Sequence, residues 1–141
     1  MEKLIFNQAN KQMDFSFETL ESQLLSIGGI RVVGDFDEDI KHLLTRGEIF
    51  SPKKVKSVKM KPNRCHANSG VFWKNFSDAN GLDNVQIVAG WCLSEDGLWR
   101  QHSFIYQPID NIIIETTVKR KIYFGFVLNL KESNIFYENN Y

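Results

Sequence analysis

From Val85 onward the apolar residues recur at every second position, and this change of period constrains the fold more than any other feature of the chain. Val85 to Leu93, Leu98 to Tyr106 and Ile112 to Val118 are rich in β-branched and aromatic residues. Such runs suit strands that present a face to a core. Ser94-Glu95-Asp96-Gly97 and Gln107-Pro108-Ile109-Asp110 separate them as turns. The pattern predicts an antiparallel meander, with a further strand from Ile122 to about Leu130 and a loosely held tail from Lys131 to Tyr141.

The preceding residues carry the period of helices instead. Phe17, Leu20, Leu24 and Ile27 fall about one turn apart in a helix predicted from Phe15 to Ile27, with Ser16 as N-cap and Gly28-Gly29 as the stop. A second helix is predicted from Phe36 to Arg46, with Phe36, Ile40, Leu43 and Leu44 as its stripe and Gly47 closing it. Asp35-Phe36-Asp37-Glu38-Asp39 resembles the start of a calcium loop but lacks the central glycine and the final glutamate. Those acids read as charges at the positive end of a helix. His42 reads as a surface or structural histidine.

Val55 to Met60 alternates apolar and polar residues as a short, half-exposed strand would, and Pro62 ends it. Asn63 can then cap a helix from Arg64 to about Phe76, on which Cys65, Ser69, Phe72, Trp73 and Phe76 share one face. The fold class is therefore α+β: N-terminal helices and a helix bearing Cys65, packed on an antiparallel β-meander. At 141 residues the chain suits one domain over 1–141. Within it, 1–50 is an N-terminal helical part, 51–130 holds the Cys65 helix and the sheet, and 131–141 is the tail.

Charge narrows the partners. The formal net charge is zero, which makes nucleic acid an unlikely partner. Lys53, Lys54, Lys56, Lys59, Lys61 and Arg64 nevertheless form a basic stretch with no acid in it. It reads either as a solvated edge strand protected by lysines or as an attraction for an acidic partner. Met1 to Asn10 has no apolar run of signal-peptide length, and no window approaches the roughly twenty apolar residues a membrane span needs. No membrane association and a cytoplasmic location are expected. The cysteines, Cys65 and Cys92, form neither a CxxC pair nor a zinc spacing, so neither a metal nor a cofactor is expected.

The chemistry lies in a count along two strands. If Gln107 to Asp110 close a hairpin as a four-residue loop, Tyr106 pairs with Asn111 and His102 falls opposite Glu115. Residues so paired project from one face with Cβ atoms about 5 Å apart. Cys65, in the first turn of its helix, is exposed to backbone N–H groups and the positive end of the helix dipole, both of which favour a thiolate. A histidine brought against that thiol takes its proton, and a carboxylate on the far ring nitrogen holds the imidazole in place. Asp110 is the competing acid, and Cys92, in mid-strand, reads as core.

Arg64-Cys65-His66-Ala67-Asn68, Val88-Ala89-Gly90-Trp91, His102-Ser103 and Ile114-Glu115-Thr116 carry a resemblance. A cysteine at a helix start, a histidine on one strand and an acid on the next resemble the plan of the papain-like cysteine hydrolases, nearest to their transglutaminase-like and NlpC/P60-like branches. The chain also resembles a group of uncharacterised bacterial proteins with Cys-His-x-Asn, Gly-Trp, His-Ser and Asp-x-Thr stretches. The likeness spans roughly residues 60 to 120, and Glu115 stands where that group favours Asp.

The resemblance implies a papain-like domain and a thiol hydrolase or acyltransferase that attacks an amide, ester or isopeptide carbonyl. Its substrate would be a protein or peptide-like molecule with a scissile amide. Cys65, His102 and Glu115 would be catalytic, with Asn68, His66, Arg64 and Trp91 as oxyanion or substrate candidates. Asn68 can equally bond a neighbouring loop, and Trp91, Trp99 and Tyr106 can equally be core. A second reading is an inactive module of the same fold that binds a partner through its basic 53–64 segment. A third is a metal site built from Cys65, His102 and Glu115.

Overall fold

A computed structural model describes residues 16–34, 39–80 and 84–140. The predicted helix start at Phe15, the acids at 35, 37 and 38 with Phe36, residues 81–83, and Tyr141 lie outside the described residues, as do Met1 to Asn10. Helix α1 spans Phe17–Ile27 and buries Leu20 and Leu24. Its start is capped as the sequence suggests: Ser16 Oγ accepts the Thr19 N–H at 3.2 Å. At the other end the Gly28 N–H returns to the Leu24 carbonyl and Gly29 takes a φ of 78°. Helix α2, Ile40–Arg46, buries Leu43 and is followed by Gly47.

The first fifty residues are not only helical. Strand β1, Arg31–Val32, and strand β2, Glu48–Phe50, both join the sheet. Each is a short β-branched or aromatic run set between a helix stop and the next turn, where nothing remains to propagate a helix.

The sheet continues with β3 (Lys54–Ser57), β4 (Gln86–Leu93), β5 (Leu98–Gln107), β6 (Ile112–Glu115) and β7 (Ile122–Val127). Its order is β2-β7-β4-β5-β6-β3, with β1 parallel to the start of β5. Only β4, β5 and β6 form the expected meander. Strand β7 crosses back to pair with β4, and β3 takes the outer edge of β6 in parallel. Burial explains the choice. Four of the six residues of β7 are buried, which suits a place between β4 and β2. Three of the four residues of β3 are exposed, which suits an edge guarded by Lys54 and Lys56. Residues 116–121 become the crossover, so β6 ends at Glu115 and not at Val118.

The β5–β6 register also differs from the count. Gln107 faces Ile112, Tyr106 faces Ile113 and Ile105 faces Ile114, a slip of two from the predicted Tyr106–Asn111 pair. Asn111 belongs to the turn: its φ is 54°, its N–H bonds the Pro108 carbonyl, and its Oδ1 accepts from Tyr106 Oη at 2.8 Å. A slip of one would have turned every side chain to the other face, whereas a slip of two keeps His102 and Glu115 together.

One face of the sheet carries Ile87, Trp91, Trp99, Ile105, Phe124 and Phe126 into the core shared with the helices. The other lines the inside of the curl with Phe50, Val88, Cys92, Phe104, Ile113 and Tyr123. Gly90 and Gly125 stand opposite each other on β4 and β7. A Cβ at Gly90 would strike the Phe124 carbonyl oxygen. Gly90→Ala should therefore destabilise the fold by about 1–3 kcal/mol, read as a lower urea midpoint. An unchanged midpoint would mean that the strands part there without cost.

Helix α3 covers Cys65–Asn80, longer than predicted, and α4 covers Leu130–Asn140. The segment 131–141 was expected as a loose tail, and through Asn140 it is a docked helix instead. Asn129 Oδ1 accepts the Glu132 N–H at 2.8 Å while Glu132 Oε1 accepts the Asn129 N–H at 2.9 Å, a reciprocal cap. Glu132 also holds Arg46 at 2.8 Å. Gly70 of α3 lets α4 approach closely, since a Cβ there would lie 3.4 Å from the Tyr137 Cα. Among the described residues no helix is long and apolar enough to cross a membrane.

Candidate active site

The chain reaches Cys65 through a tight turn. Asn63 has a φ of 59° and sits within that turn, so the cap falls on Arg64 and not on Asn63, and Cys65 is the first residue of α3. The Arg64 carbonyl accepts the Asn68 N–H at 2.8 Å, which leaves the N–H groups of Cys65, His66 and Ala67 as the unpaired donors of the helix start. Asn68 is buried and gives its Nδ2 to the Lys61 carbonyl at 2.7 Å. It thereby ties the turn to the helix, the loop-binding arrangement of the two weighed for it.

His102 and Glu115 are fully buried. His102 sits opposite Gly90 on β4. Its Nε2–H donates to Glu115 Oε1 at 2.8 Å. The same oxygen accepts Tyr123 Oη–H at 2.9 Å. Glu115 Oε2 accepts the Thr117 N–H at 3.0 Å and the Thr117 hydroxyl at 2.9 Å. Four donors thus hold one carboxylate, which fixes the imidazole tautomer in turn.

The other ring nitrogen, Nδ1, is buried without a hydrogen-bond partner, and His102 and Cys65 line the same groove. Catalytic hydrogen bonds commonly tighten only with substrate in place. Burial alone would push the Cys65 thiol up. Interaction with His102, then with His66, and the charge of both rings outweigh it and bring the thiol down to about 5. Burial likewise works against the imidazolium, yet the Cys65 sulfur and the Glu115 carboxylate hold His102 above its ordinary value. Glu115 stays below the usual carboxylate range because His102 and the Thr117 and Tyr123 donors overcome its burial. For Cys92, burial outweighs the backbone hydrogen bond from Phe124 and the Arg120 charge and leaves the thiol well above its ordinary value.

The remaining candidates separate. His66 lies beside the nucleophile: its Nδ1 is 3.7 Å from Cys65 Sγ and 2.7 Å from Ser103 Oγ. Consecutive helix residues diverge, but at the first turn no earlier turn blocks a ring from leaning toward the N-terminus. Ser103 Oγ in turn donates to Ser69 Oγ at 3.4 Å. Arg64 is exposed. Trp91 is fully buried, with its ring 5.9 Å from that of Phe17, so it packs the core and lines no groove. Trp99 gives its Nε1–H to the Gly28 carbonyl at 2.8 Å. Asp110 is exposed in its turn, and Glu115 takes the place beside His102. Among the described residues no three His, Cys, Asp or Glu side chains converge as metal ligands would, Cys65, His102 and Glu115 included.

Sequence reasoning met Ser103 and Thr117 only as parts of the His-Ser and acid-x-Thr stretches and gave no role to them, to Tyr123 or to Gln101. A hydroxyl two residues after the acid was a readable signal for Thr117. Tyr123 gave none, since it joins the site only through the crossover. A groove of about 510 Å³ opens beside Cys65 and His102, lined also by Lys59, Met60, Pro62 and Asn63 and by Thr116, Thr117, Val118 and Arg120. A second, of about 410 Å³, lies on the His66 side, and Gln101 borders both. Compared with known proteins, the chain matches no family model, no curated protein and no solved structure.

Proposed function

We propose that this protein is a papain-like thiol hydrolase or acyltransferase acting on an amide, ester or isopeptide carbonyl. The observation that carries the reading is the line Glu115–His102–Cys65: a carboxylate fixed by four donors, an imidazole fixed by the carboxylate, and a thiol lowered to about 5 at a helix start and a groove. Perturbed groups clustered in a cleft are what nucleophilic catalysis requires.

The chemistry follows from the positions. The Cys65 thiol proton passes to His102 Nδ1, and the thiolate adds to the carbonyl carbon. The developing oxyanion meets the Cys65 backbone N–H at the start of α3. As the C–N or C–O bond breaks, His102 returns the proton to the leaving amine or alcohol, and the acyl group remains on sulfur. Water or an amine then attacks the thioester with His102 as base, which restores the thiol. Glu115 keeps Nε2 protonated throughout, and Tyr123 and Thr117 keep Glu115 in place.

A p-nitrophenyl acyl ester tests the reading. Mixing should release a burst of about one equivalent of nitrophenol and leave one acyl mass on the peptide that contains Cys65. Cys65→Ala should remove both. Release without a burst, or acylation elsewhere, would sink the proposal.

A further inference from the structure

Resting on the thiol-acylation reading, we infer that the groove beside Cys65 selects substrates that carry a carboxylate next to the carbonyl under attack. Lys59, Arg100 and Arg120 reach this groove from three separate stretches of chain, and no Asp or Glu among the described residues lines it. Arg100 is partly spent on Asp96 at 2.9 Å, at an exposed site. Lys59 has no acid partner among the described residues. Arg120 is steered by its own main chain: Nε donates to the Val118 carbonyl at 2.9 Å, and its backbone N–H donates to Tyr123 Oη at 3.1 Å. That hydroxyl is the one bound to Glu115. A cation is thereby fixed relative to the nucleophile's own support.

Two further observations bear on this groove. Thr116 lines it, and the Thr116 Oγ1 is buried without a hydrogen-bond partner among the described residues. The groove on the His66 side is lined by Asp39 and Glu132 and by neither Lys nor Arg, with Glu132 paired to Arg46. A substrate crossing the thiol therefore meets cations on one side only, which sets its direction as well as its charge. The basic stretch of the sequence divides accordingly. Lys54 and Lys56 guard the outer edge strand, while Lys59 reaches the groove.

Three chloroacetyl probes of nearly equal size test this: chloroacetyl-glutamine amide, which is neutral, chloroacetyl-glutamate α-amide, with a side-chain carboxylate, and chloroacetyl-glutamine free acid, with a terminal one. At least one anionic probe should alkylate Cys65 about tenfold faster than the neutral probe, a gain of the size that local cationic fields provide. The faster of the two identifies whether the site reads a side chain or a chain end. The advantage should collapse in Lys59→Gln/Arg120→Gln, and at an ionic strength of about 1 M, where screening acts within roughly 3 Å. Equal rates for all three probes would overturn the inference, as would an anionic advantage untouched by the double substitution. The ratio is read whatever the absolute rate, so it fails separately from the acylation proposal, which falls if no acyl-Cys65 forms from the ester.

Discussion

Alkylation of Cys65 by iodoacetamide at pH 5.5 should slow by about tenfold or more in His102→Ala, while at pH 9 the variant should react as fast as the parent or faster. The sign follows from two opposing effects. With the thiol at about 5, most of the sulfur is thiolate at pH 5.5. Without the His102 ring the value moves toward the ordinary one near 8.5, and the thiolate fraction falls by roughly three orders of magnitude. A more basic thiolate is also a better nucleophile, which recovers about one and a half of those orders. The remaining loss is largest at acid pH and vanishes once both forms are ionised. His66, 3.7 Å from Sγ, should keep the loss short of its full extent, so adding His66→Ala should lower the acid limb further. Cys92 should stay inert in every variant, since it is fully buried with a raised thiol. Identical pH profiles for parent and His102→Ala would show that the ring does not act on the thiol.

The residues of this site were legible because the argument that finds them tolerates error. Counting along β5 and β6 placed His102 opposite Glu115, and the observed pairs show a slip of two. Side chains alternate with a period of two, so the slip changes a direct pair into a diagonal one on the same face, still within a hydrogen bond of 2.8 Å. Cys65 was legible for a similar reason. Moving the helix start by one residue leaves it in the first turn, where dipole and free N–H groups act. The support of the site was not legible, because it depends on topology. Tyr123 reaches Glu115 only because β7 crosses back to β4, and that choice is made by burial on both faces of a distant strand, which no local pattern states. Helix α4 was missed for the opposite reason. Its signal was local and present in Asn129 and Glu132, but a polar stretch with few inward residues did not resemble a docked helix until Gly70 and Arg46 supplied its partners.

Glu115→Ala should be the most destabilising single change at the site, at about 3–5 kcal/mol, the usual cost of breaking a buried pair from one side. His102 Nε2, Tyr123 Oη, Thr117 N and Thr117 Oγ1 would all lose their acceptor at once, and a fall of about 10 °C or more in the thermal midpoint should follow. Glu115→Gln separates shape from charge. It fills the same volume, but its amide nitrogen would face a donor whichever way it turned, so it should lose about half as much and still lose the fast thiol. The gap between parent and Glu115→Gln should depend on pH in a definite window. Glu115 lies below its ordinary value, so its contribution is present above about pH 4.5 and fades as pH falls through the lowered value. His102 lies above its ordinary value, so its contribution is complete below about pH 6.5 and fades as pH rises through the raised value. Urea unfolding of the two proteins should therefore differ most between about pH 4.5 and 6.5, with the gap narrowing below that window as the carboxylate is protonated and above it as the imidazolium loses its proton. A gap that stayed constant from pH 3 to 9 would mean that the four donors are satisfied by shape alone, and that the charge on Glu115 serves the thiol without holding the fold.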